Sequence, residues 1–108
     1  MKFDIEETLK EMLAAMKGVA EQHWKDVEST ASGFLQRRKE RLEMIAILRI
    51  NGELSPEKFK SRLEDEKLIL EAELNALAVL SKAITQKAVN SAIEILEKTV
   101  EKAISTIL

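Results

Sequence analysis

The segment Asn51-Gly52-Glu53-Leu54-Ser55-Pro56 constrains this chain more than any other. Glycine at position 52 can take the left-handed conformation that closes a helix, so the preceding helix ends near Ile50. Ser55 then reads as an N-cap and Pro56 as the first residue of a second helix, where its missing N–H is not needed. Leu54 and Phe59 hold the N′ and N4 places of a hydrophobic staple. Lys58 occupies the place that a capping box gives to Glu, while Glu57 puts a carboxylate in the positive first turn. Helices joined this tightly run back along each other.

The stretch before the turn carries a regular apolar stripe. Ile5, Leu9, Met12, Met16, Ala20, His23, Val27, Ala31, Phe34, Arg38, Leu42 and Ile45 follow steps of 4, 3 and 4. This is a hendecad repeat, about 3.67 residues per turn, which gives a straight or slightly right-handed seam. Leu13, Trp24, Leu35 and Ala46 widen the face, and Glu6, Lys17, Glu28 and Lys39 recur at the same interval on the opposite side. After the turn, Leu63, Leu70, Leu74, Leu77, Ile84, Ala88, Ile95 and Ala103 mark a second stripe, with Val79, Leu80, Ile93, Leu96 and Val100 spreading apolar surface around it. The sequence thus predicts an all-α, single-domain helical hairpin over residues 1–108: a helix over about 4–50, a turn at 51–55 and a helix over about 56–106. Ser29-Thr30-Ala31-Ser32-Gly33 gathers poor helix formers, where the helix could bend or break, but the stripe crosses it in phase, which favours one continuous helix.

Composition agrees with helices and excludes several classes of function. Hydrophobic residues make up 45% and charged residues 33% of 108, with one proline and no cysteine. Disulfides, thiolate metal sites and cysteine nucleophiles are therefore excluded. A formal net charge of −2 gives no polyelectrolyte case for nucleic acid, and Arg37–Arg41, interrupted by Glu40, is too small a basic footprint. The N-terminal segment turns acidic at Asp4, Glu6 and Glu7 without an apolar signal core, and no apolar run reaches the roughly 20 residues of a membrane span. A soluble, cytoplasmic protein is the expectation.

Two helices of this length would each extend roughly 70 Å and cover only one side of each other. Wide apolar faces would stay wet, which favours pairing of two hairpins into a four-helix-type bundle, a homodimer or a higher homo-oligomer. Another helical protein could fill the same place. The expected interface draws His23, Trp24, Val27, Phe34 and Arg38 from the first helix, and Leu77, Leu80, Ile84 and Ile95 from the second. Around the turn, residues whose numbers sum to about 106 should lie opposite each other. Arg38 and Arg41 then face Glu64, Asp65 and Glu66. Arg38 in particular needs a partner, because it stands in the apolar stripe.

Catalytic chemistry has no visible home. His23, the only histidine, has no Glu-x-x-His company for a metal and no nucleophile or orienting carboxylate at helical spacing. Gly18, Gly33 and Gly52 form no phosphate-cradling loop. Neither a catalytic residue nor a metal site nor a cofactor is expected. In length and hairpin topology the pattern resembles the small secreted Trp-X-Gly proteins. Their motif does not carry over: the turn here is Asn51-Gly52-Glu53, Trp24 lies mid-helix and there is no tyrosine, so the likeness implies no function. The sequence therefore reads as a non-enzymatic, self-associating helical protein, a subunit or adaptor of a larger assembly. The alternative is a peripheral lipid-surface protein, since eleven-residue amphipathic repeats also suit a headgroup boundary. An acidic polar face disfavours that alternative.

Overall fold

The turn at Asn51–Pro56 is built as its residues dictate. Gly52 has φ 81, its N–H bonds the carbonyl of Arg49 at 3.1 Å, and the N–H of Glu53 bonds the carbonyl of Leu48 at 2.8 Å. This crossed pair of bonds is a Schellman closure and satisfies carbonyls that the helix end would leave open. Ser55 Oγ accepts from the N–H of Lys58 at 3.2 Å, capping a helix whose first residue is Pro56. Leu54 and Phe59 are both buried beside it.

The computed structural model describes residues 3–107, and its elements differ from two unbroken helices. Helix α1, Ile5–Ala20, is capped by Asp4, whose carboxylate accepts from the N–H of Glu7 at 3.1 Å. A single 3-10 turn, Glu21–His23, leads into α2, Trp24–Ile50. Pro56 opens α3, Pro56–Ala76, and α4 spans Lys82–Ile107. The first stretch is thus one sharply bent helical run, and the result is a compact all-α bundle in place of a long rod. Its longest dimension is 42 Å, well short of the roughly 70 Å expected of straight helices.

The bend does not fall at 29–33. Ala31 and Phe34 are completely buried there, so packing outweighs the weak propensities of Ser29, Thr30, Ser32 and Gly33 and keeps α2 continuous. The break comes at Glu21, whose φ of 51 and ψ of −118 no helix admits. The second expected helix is broken as well. Ala78 has φ 55, Leu77–Ser81 form the joint, and Ser81 Oγ restarts the helix by accepting from the N–H of Ile84 at 3.2 Å. Neither joint contains a glycine or a proline.

Around the bundle, α1 lies chiefly against α4, α2 packs on α3, and α3 on α4. Every apolar member of the first stripe is buried, and its two polar members, His23 and Arg38, are half-buried. Phe34, Leu35, Leu42 and Ile45 of α2 meet Leu63, Leu70 and Leu74 of α3 and Ala88, Val89 and Leu96 of α4 in a shared core. Full burial of each large side chain contributes about 1.5–3 kcal/mol. The faces that two straight helices would have left wet are therefore covered within one chain. Among the described residues, no helix is long and apolar enough to cross a membrane.

Candidate functional site

The most elaborate polar constellation joins α2 to α3. Arg38 donates from Nε to Glu66 Oε1 at 2.8 Å and from Nη2 to Oε2 at 2.6 Å. Arg41, one turn on, donates from Nε to Glu66 Oε2 at 3.0 Å. The Glu66 side chain is only 1% exposed, whereas that of Arg38 is 28% exposed. Burial alone would push the Glu66 carboxyl up. The hydrogen bonds and charge of Arg38, joined by those of Arg41, outweigh it and hold the group below its ordinary range. The hydrogen bond to Glu66 raises the Arg38 guanidinium further against the opposing effect of burial.

Of the other acidic residues expected opposite Arg38 and Arg41, neither joins them. Glu64 meets Lys67 one turn along its own helix at 3.6 Å, and Asp65 is exposed and in no ion pair among the described residues. Helical periodicity explains the selection: of three consecutive residues, only Glu66 shares the buried face with Leu63, Leu70 and Leu74. Two further ion pairs escaped the sequence reading. Arg37 Nη2 donates to both carboxylate oxygens of Glu73 at 2.6 Å, and Lys39 pairs with Glu6 across α2 and α1. The second exists only because the run bends, so no register for a straight helix could have found it.

The residues expected at a subunit interface are placed differently. Trp24, Val27, Phe34 and Leu80 are buried in the core of the single chain. Ile95 is half-buried against that core. His23 lies half-buried in the 3-10 turn, and with Val19 to Gln22 it faces Ile84 and Lys87 across a groove of about 320 Å³. Leu77 and Ile84, each 37% exposed, are the members of that set that remain on the surface as large apolar side chains.

Further exposed apolar side chains lie on α2 and α3. Met44 is 48% and Leu68 53% exposed, and Ile47 and Ile69 join them. Met44 stands two turns from Arg37 and Ile69 between Glu66 and Glu73, so both flank the outer seam of α2 and α3 that these ion pairs cross. Their signal in the sequence was their phase, for none of the four belongs to either stripe.

A groove between α3 and α4, lined by Leu63, Glu64, Lys67, Asn90, Ile93, Glu94 and Glu97, has a volume of about 280 Å³. Among the described residues no group of three or more His, Asp or Glu could hold a metal ion. Among the described residues one buried polar side-chain atom has no hydrogen-bond partner, the hydroxyl of the fully buried Thr85. No family model matches the chain, and no curated protein and no solved structure matches it.

Proposed function

We propose that this chain is a non-enzymatic helical interaction protein that associates with itself and serves as a subunit or adaptor of a larger assembly. The observation that carries this reading is the outer α2–α3 seam. Met44 and Ile69, large apolar side chains on the surface, flank it, while Ile47 and Leu68 stand exposed on the outer faces of the same two helices. Met44, three residues from Arg41, and Ile69, four from Glu73, fit the pattern of an apolar contact with a charged border. The long apolar stripes of the helices are largely covered within the bundle itself. A helical protein suits the seam better than lipid does, because the amphipathic stripe that a lipid surface would engage is turned inward.

Light scattering after gel filtration tests self-association. Dimers or larger species at high micromolar concentration are expected, and a monomer throughout would overturn it. Replacing Met44 and Ile69 together by Lys is expected to abolish self-association while leaving the fold intact by circular dichroism.

A further inference from the structure

The two outer joints differ in kind from the central turn. The central turn is fixed by Gly52 and Pro56. The joints at Glu21–His23 and Leu77–Ser81 have neither residue, and each turns on a non-glycine residue with positive φ, Glu21 and Ala78. Helix α2 also begins without a side-chain cap. Apolar spacing runs through both joints as if the helices continued: Met16, Ala20, His23 and Val27 on one side, and Leu74, Leu77, Ile84 and Ala88 on the other. The members left uncovered by the bend, Leu77 and Ile84, are those beside the joints, and His23 is half-buried there.

The end of α1 and the first joint, Val19 to His23, share one groove with Ile84 and Lys87, just past the second joint. Stretches facing each other there, with numbers summing to about 107, share the antiparallel register in which Arg41 meets Glu66. Straightening both joints together therefore leaves α1 on α4 and α2 on α3. What it breaks is the packing of the α1–α4 half on the α2–α3 half. A second opened copy supplies that packing again, contact for contact, with each α1–α4 half lying on the other copy's α2–α3 half about a two-fold axis.

We propose that two copies of this chain exchange their α1–α4 halves to form a dimer of straight hairpins, in which Leu77, Ile84 and His23 are covered at the centre. This rests on the self-association reading but names a different contact from the α2–α3 seam, which stays outward and free. Exchange relieves two left-handed non-glycine residues per chain and adds only helix at the joints.

Because the chain has no cysteine, the variant Glu6→Cys/Lys39→Cys gives a clean probe of the α1–α2 contact. The full-length variant is refolded at high concentration, treated with a short bismaleimide and resolved on a reducing gel beside light scattering. The expected result is a dimer whose cross-link joins two chains. A dimer whose cross-link closes within each chain would overturn exchange and leave self-association standing, whereas a monomer would overturn both. In the native background, Glu21→Gly/Ala78→Gly is expected to lower the dimer association constant by roughly a hundredfold or more, since glycine favours the bend and disfavours the continuous helix. An unchanged constant in that variant, with helicity intact, would also sink the proposal.

Discussion

Arg38 and Glu66, 28 positions apart, meet through two parallel hydrogen bonds of 2.8 and 2.6 Å. A guanidinium fork on a carboxylate fixes rotation as well as distance, so this pair holds α2 and α3 in one register. Arg38→Ala should destabilise the chain by about 2–4 kcal/mol in urea titration, because it leaves Glu66 buried with Arg41 alone. The paired change Arg38→Met/Glu66→Leu should come close to neutral, since it removes both desolvated partners at once. A single loss below measurement error would show that the pair contributes nothing.

The same carboxylate sets an acid limit. Its pKa in the folded chain lies below its ordinary value, so the stability it contributes is fully present above the unfolded pKa of about 4.3. That stability is lost as pH falls through the lower folded value. The melting temperature should therefore fall between pH 5 and pH 3, and less steeply in Glu66→Gln. Equal slopes for the two proteins would contradict the assignment.

Ala78 holds φ 55 at the α3–α4 joint, a conformation that Cβ opposes. Ala78→Gly should stabilise the bent chain by about 1 kcal/mol, measured as a higher urea midpoint under monomeric conditions. The reverse change at the central turn, Gly52→Ala, should weaken it by a similar amount, about 1 kcal/mol, since φ there is also positive and the added methyl group meets nothing.

Thr85 carries a fully buried hydroxyl without a partner. Thr85→Val keeps the shape and removes the unsatisfied group, for an expected gain of about 1 kcal/mol. Thr85→Ser keeps the hydroxyl and removes the methyl group, and should be the less stable of the two. Thermal melts of both variants decide the point.

The central turn was legible because its chemistry is local: Gly52, Ser55 and Pro56 each act on backbone groups a few residues away. The Arg38–Glu66 pair was legible because the turn sets a register and a charge in an apolar stripe demands an answer. The two joints were not legible, because Glu21 and Ala78 are good helix formers in an apolar pattern that never slips. Only the closing of the bundle on itself rewards their left-handed backbone, and that reward lies in contacts between residues far apart in sequence. Across Ser29–Gly33 the unbroken phase of the stripe favoured a continuous helix, and the burial of Ala31 and Phe34 holds α2 continuous there against local preference. The capping role of Ser81 was hidden as well, by continuous hydrophobic spacing on both sides of it.

The Schellman closure at Gly52 also has a kinetic side. It is the one reversal encoded by its own residues, so α2 and α3 can pair early, over a short loop. The α1 and α4 arms dock afterwards, onto whichever α2–α3 pair lies nearest. The time taken by that last step, against the time between encounters of two chains, decides whether a refolding molecule closes on itself or on a neighbour. A stopped-flow trace should show this as a late phase whose rate rises with protein concentration, following an early one that does not.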